Sequence, residues 1–324
     1  MHTRTPQLSF VLLIVAATMA FAMPDPPGPA TVCIARADHI LVPQGLSAPK
    51  VLYPQGRVDY DVVEKLVDGV MECLTGKEKT DAWRALFPAV DRVGIMVEAG
   101  RYPVQLATVE TVIDRLVNAG VNPANIVVFS GDERDLFIAG FSVNRDPQSV
   151  RVMGTEAEGF RGGVSRIAID YCDALINVGT LQVDAELGFI GCVANALACV
   201  PNPQRIQLRT TPALLGSVAA RPVVRQKLRL NLLEAYLPLL DTDGKEKVTW
   251  QYGGLLAGTD PVAVDVLGRQ ILQGCRNASK GVAWPLPEAV DYLAPAQERY
   301  RLGQADPKQI TVKLQGNETD AFLK

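Results

Sequence analysis

Histidine is almost missing from this chain: its 324 residues include His2, His39 and no other. A multi-histidine metal site is thereby excluded, and a Ser-His-Asp triad would have to use His39, which sits in a loop context after a predicted strand. The six cysteines contain no C-x-x-C pair, so the sequence holds no iron–sulfur motif and no zinc ribbon. Lys/Arg runs are lacking and the formal net charge is −3, which leaves no electrostatic footprint for DNA or RNA. No apolar run after residue 22 approaches membrane length, so no transmembrane segment is expected in the mature chain. The glycine cluster from Gly154 to Gly163, with Arg161 and Arg166, matches neither the dinucleotide nor the P-loop spacing and reads as a flexible surface loop. No identifiable cofactor follows from any of these patterns.

The amino-terminal residues carry a different signature. Arg4, the apolar stretch Leu8 to Met19 and the small-x-small Ala20-Phe21-Ala22 read as a secretory signal over residues 1–22, cleaved before Met23. Export to the periplasm or the extracellular space is the expectation; left uncleaved, the same segment would tether the protein to the membrane. Residues 23–30 then read as a Pro/Gly-rich linker, and residues 31–324 as one domain. Export permits disulfides. Most of the cysteines nevertheless lie among apolar residues, as Cys33 does in Thr-Val-Cys-Ile-Ala, and read as buried free thiols. If Glu186 to Cys199 is helical, Cys192 and Cys199 lie about 10 Å apart and cannot pair with each other.

Hydrophobic periodicity alternates between two kinds of segment. Thr31–Ala35, Arg92–Val97, Ile126–Phe129, Ala174–Val178, Leu228–Leu233 and Ile310–Leu314 read as strands. Between them, Val62, Val63, Leu66, Val67, Val70, Met71 and Leu74 share one helical stripe, Val109, Val112, Ile113, Leu116 and Val117 mark another closed by Gly120, and Ile167–Tyr171 suggests a third helix. This alternation predicts an α/β fold with a mostly parallel sheet and helices on both faces. The stretch Asp241 to Lys247 reads as a solvated Asp-Gly turn rather than a calcium loop, since it lacks the later ligands of that loop.

The stretch Gly253 to Asp265, GGLLAGTDPVAVD, reads as a strand running into a helix, with Asp260 as the cap and Pro261 at the first helical position. The helix is apolar on every side, which predicts burial. Asp265 lies inside it and needs a partner. Two readings stand: Asp265 ties the helix to a neighbouring loop, or it faces a ligand.

This stretch resembles the hallmark a-G-x-D-P-V-A-x-D of the domain of unknown function (DUF) 362 family. The stretches Ala82 to Gly100, Leu116 to Phe141, Cys172 to Gln182 and Tyr292 to Ile310 follow in the order that family shows. The resemblance implies a Rossmann-like α/β fold, similar to the substrate domain of nickel-dependent lactate racemases, and implies little about reaction. Compared with the family pattern, Met96 and Glu98 stand where Lys and Asn are expected, Gln182 and Asp184 where Lys and His are expected, and Ala194 replaces another Lys. The His expected after the Asn202-Pro203 turn is also absent. Gly188, Asn195, Asp260 and Asp265 match. The family-type site therefore reads as degenerate, with its basic and imidazole groups lost.

Ligands of α/β folds bind beyond the carboxyl ends of strands. That rule selects Glu98, Asn177, Asp184, Asn195, Asp260 and Asp265 as candidate ligand-binding residues, with Glu186, Ser130 and Asp132 nearby, although Ser130-Gly131-Asp132 reads first as a cap for the next helix. Such a site would be an acidic, oxygen-rich cleft suited to a small ligand or a divalent cation. Three functions remain in play: a non-catalytic or divergent ligand- or cation-binding domain, an enzyme with an acidic, metal-dependent site, and a cell-envelope interaction protein. Oligomeric state is not encoded in any pattern recognised here.

Overall fold

The computed structural model describes residues 25–42, 58–241, 248–287, 291–316 and 320–323. The predicted signal segment and most of the Asp241–Lys247 turn lie outside these residues. β1 (Ala30–Arg36) leads through α1 (Tyr60–Thr75) and α2 (Lys79–Leu86) to β2 (Val93–Val97), and α3 (Leu106–Asn118) carries the chain to β3 (Ile126–Ser130). The short α4 (Glu133–Ile138) precedes β4 (Arg151–Gly154); α5 (Thr155–Glu158) and a small hairpin of β5 (Phe160–Arg161) and β6 (Val164–Ser165) follow. β7 (Ala174–Asp184) turns back as β8 (Gly188–Ile190), and α6 (Cys192–Asn195), α7 (Asn202–Thr210), α8 (Gly216–Ala219) and α9 (Pro222–Arg225) lead to β9 (Leu228–Leu239). β10 (Gly254–Gly258), α10 (Pro261–Lys280), α11 (Leu293–Glu298) and β11 (Ile310–Gln315) complete the order.

Among the described residues, one sheet runs β11-β1-β10-β9-β7-β2-β3-β4, with β8 attached to β7. β2 is parallel to β3 and β7, β3 to β4, β7 to β9 and β1 to β11. Only β10 on that path runs against its neighbours, β1 and β9. The fold is a Rossmann-like, mostly parallel α/β fold. Alternation along the strands explains its two cores: Ile95, Val97, Val128 and Ile176 pack under α1 to α3, while Met96, Phe129, Leu175 and Leu233 pack under α6 and α10. Each such aliphatic side chain contributes about 1.5–3 kcal/mol by leaving water.

Local chemistry sets the boundaries. Asp59 caps α1 by accepting from the backbone N–H groups of Asp61 and Val62 at 3.0 and 3.4 Å. The helix stops at Gly76, whose φ of 66° is the left-handed conformation glycine adopts at least cost. Three expectations change. Cys33 is not a free thiol: it bonds Cys73, joining β1 to α1 at a Cα separation of 6.0 Å, and the remaining Cys172, Cys192, Cys199 and Cys275 are free and buried. Glu186 to Cys199 is not one helix, because Gly188 to Ile190 are drawn onto the exposed edge of β7 as β8. The Gly154 to Gly163 stretch is not a loose loop: it forms α5 and the β5–β6 hairpin, and Asp170 holds both Arg161 and Arg166.

Candidate functional site

β2, α3, β3, α4 and β4 build the sheet outward in one direction, and the chain then returns to place β7 on the other side of β2. The order of strands reverses between β2 and β7. In open α/β sheets, diverging connections at such a point leave a crevice beyond the carboxyl ends of the strands. A cleft of about 700 Å³ lies there, with Glu98 after β2, the Ser130-Gly131-Asp132 turn after β3, and Asn195 and Arg205 from α6 and α7.

Glu98 is half-buried, and its carboxylate accepts the backbone N–H of Gly100 at 2.6 Å. Burial pushes its pKa above the usual carboxylate range, and the neighbouring Asp135 and Asp184 push the same way. Asp132 caps α4 by accepting the N–H of Arg134 at 2.7 Å, as its sequence context predicts. Opposite, Arg205 donates to Glu156 at 2.6 Å, and Arg209 donates to Asp184 and Glu186 at 2.6 and 2.8 Å. Arg205 lies directly against Gly131: a Cβ there would stand 1.7 Å from its Nη1. A side chain at residue 131 would displace that guanidinium, which is the far end of a flexible side chain.

The cleft is therefore not the purely acidic site expected from the sequence. Arg134, Arg205 and Arg209 enter it from α4 and α7, so cationic groups are present. Sequence reading missed them because helical residues far apart in the chain converge only in the folded protein. The i, i+4 spacing of Arg205 and Arg209 on one helix face was the available signal.

The remaining candidates divide by depth. Asn195 lines the cleft floor and donates to Asn177 at 2.7 Å and to the carbonyl of Val178 at 3.0 Å. Asn177, fully buried, donates to the carbonyl of Cys192 at 2.8 Å and to Asn231 at 3.1 Å. Asn231 reaches the carbonyls of Gly258 and Thr259, so three asparagines tie β7, β9, β10 and α6 together beneath the cleft. Asp184 is engaged by Arg209 and by the N–H groups of Glu186 and Leu187.

Asp265 is completely buried and accepts the N–H groups of Cys192 and Val193 at 2.6 and 2.9 Å. Burial lifts its carboxyl to about 7 against the pull of those donors. The loop-tying reading describes it. Asp260 caps α10 through Val262 and Ala263 and also accepts Gln304. Since β10 runs opposite to its neighbours, Asp260 lies beyond the amino ends of the parallel strands, in a second cleft with Thr31 and Leu86. Neither aspartate joins Glu98. His39 is exposed and lies outside the cleft.

One further buried acid escaped the sequence reading. Glu234 on β9 is 1% exposed and accepts the N–H of Gln105 at the start of α3, beside Thr108 and Tyr236. Burial raises its carboxyl to about 8. A single acid in the apolar run of β9 was its only signal.

Residues 140–270 match the family model described as a domain of unknown function, DUF362. This part of the chain is similar to that family. That region supplies the Glu156, Asn195, Arg205 and Arg209 side of the cleft, whereas Glu98 and the turn after β3 precede it. The matched region also contains the three structural asparagines and Asp265. No curated protein matches the chain. Among solved structures, a Thermotoga maritima protein determined by a structural genomics consortium is similar over 69% of this chain and 60% of its own length, at 9% identity and a TM-score of 0.38. The chain thus spans less than two thirds of that protein.

Proposed function

We propose that this protein is an exported ligand-binding α/β domain, and that the cleft beyond β2 and β3 is its binding site. The observation that carries the reading is the convergence, at the point where strand order reverses, of Glu98, Arg134 and Arg205 around a cleft of a size suited to small molecules. The signal-like residues 1–22 and the Cys33–Cys73 disulfide support export, because disulfides persist in oxidising compartments. Screening small polar molecules and divalent cations for a rise in melting temperature tests the site. A stabilising compound whose effect disappears in Arg205→Ala is the expected result; a screen without any such compound or cation overturns it.

Glu98 favours a second reading, that of an enzyme. A half-buried carboxyl with a raised pKa at the edge of a cleft has the character of a general acid or base. A cation held by Glu98 and Asp135 would be its metal-dependent form. Any turnover detected with the stabilising compound should then fall at least about a hundredfold in Glu98→Gln, and an unchanged rate removes this reading.

A further inference from the structure

The cleft's charges are unequally engaged. Glu156 holds Arg205, and Asp184 and Glu186 hold Arg209, so these two guanidiniums line the cleft in fixed positions set by ion pairs within the protein. Glu98 and Asp135 stand on a different footing: among the described residues neither has a guanidinium or ammonium group within ion-pair distance, although Arg209 acts on Glu98 and Arg205 and Arg134 on Asp135 from further off, and Glu98 satisfies one oxygen on a backbone N–H. Both face the same cleft; burial raises both carboxyls, with Asp135 adding to the rise at Glu98 and Asp132 to that at Asp135. Arg134, one residue before Asp135 on α4, is exposed at the cleft and makes no side-chain ion pair among the described residues. Asp132, one oxygen of which caps α4, is also without an ion pair, so among the described residues three carboxylates and one guanidinium stand open in one cavity.

A third element is apolar. Ile190 and Leu197 form part of the cleft wall, and Ile206 on α7 lines it while remaining 58% exposed. A large aliphatic side chain at a polar cleft, with nothing covering it, offers area to an apolar substituent of a ligand. An anion alone would meet Glu98 and Asp135 unfavourably, and a cation alone would leave Arg134 and the apolar wall unused.

We infer that the cleft takes a zwitterionic small molecule with an apolar substituent, of the class of aliphatic or aromatic amino acids and short peptides. Its ammonium group faces Glu98 and Asp135, its carboxylate faces Arg134, and its apolar side chain lies on Ile206. This assignment rests on the reading of the cleft as a ligand site.

Calorimetric titration of the full chain tests it, using leucine, phenylalanine and dileucine against N-acetyl-leucine, leucinamide, glycine, succinate, glucose and calcium chloride. At least one of the three zwitterions should bind saturably. N-acetyl-leucine, lacking the ammonium, and leucinamide, lacking the carboxylate, should each bind at least about tenfold more weakly, and glycine likewise. Arg134→Gln should weaken the zwitterion while leaving leucinamide unaffected, and Glu98→Gln should weaken it while leaving N-acetyl-leucine unaffected; circular dichroism verifies that both variants fold. Absence of zwitterion binding, equal affinity for the blocked analogues, or binding of calcium alone overturns the inference. Binding of succinate or glucose that is lost in Arg205→Ala overturns the zwitterion assignment yet keeps the cleft as a site, whereas no binding by any probe counts against both.

Discussion

The carboxylate of Asp265, fully buried inside α10, stands 2.6 Å from the backbone nitrogen of Cys192 and joins that helix to the first turn of α6. Its other oxygen accepts the N–H of Val193 at 2.9 Å. Asp265 is thus a structural tie beneath the cleft, near Asn177, which bonds the carbonyl of the same Cys192.

Asp265→Ala should leave two buried N–H groups without an acceptor. A loss of about 2–5 kcal/mol in unfolding free energy is expected. Urea denaturation of the variant against the parent measures it, and a change below about 0.5 kcal/mol would sink the idea of a structural tie.

The pH dependence of stability follows from the two deeply buried acids. Burial holds Asp265 at about 7 and Glu234 at about 8 in the folded protein, above their values in the unfolded chain. The folded state therefore binds protons more readily, and the stability from this source is complete below the unfolded pKa and lost as pH rises through 7 and then 8. From this source, melting temperature should fall from about pH 4 to about pH 8 and level off above it. Glu234→Gln, which keeps an acceptor for the N–H of Gln105, should flatten the upper part of the decline; an unaltered profile in that variant would assign the decline elsewhere.

The Cys33–Cys73 disulfide spans 40 residues of sequence. A closed loop of that length restricts the unfolded chain by about 4 kcal/mol. Replacing both cysteines by alanine should lower the denaturation midpoint accordingly. The other four thiols, with burial pushing Cys172, Cys199 and Cys275 to about 12, should resist alkylation until the protein unfolds. Labelling of the native protein at any of the four would contradict the packing.

Gly131→Ala places a methyl group where Arg205 now lies. The guanidinium, at the end of a flexible side chain, is expected to swing away, at a stability cost below about 1 kcal/mol because the broken pair with Glu156 is near the surface. Ligand-induced stabilisation should nonetheless drop as it does in Arg205→Ala. A thermal-shift comparison of the two variants decides: full retention of the ligand effect in Gly131→Ala would show that Arg205's position does not matter to binding.

Periodicity by itself determined β1, β2, β3, β7, β9, β10 and β11, the helices α1, α3 and α10 and the cap at Asp260, because these depend on neighbours three or four residues away or on alternation along one strand; β4 and β8 escaped it. It also determined the scarcity of histidine and the placement of Glu98 at a strand end. Tertiary structure alone decided the rest. Cys73 meets Cys33 only because α1 packs across β1, and Gly188 to Ile190 extend only because β7 offers an open edge. Asp260 and Asp265, close in sequence, are separated because β10 runs against its neighbours and α10 carries Asp265 back under the sheet. Arg134, Arg205 and Arg209 reach Glu98 because the strand order reverses between β2 and β7, a property of topology that no local pattern encodes.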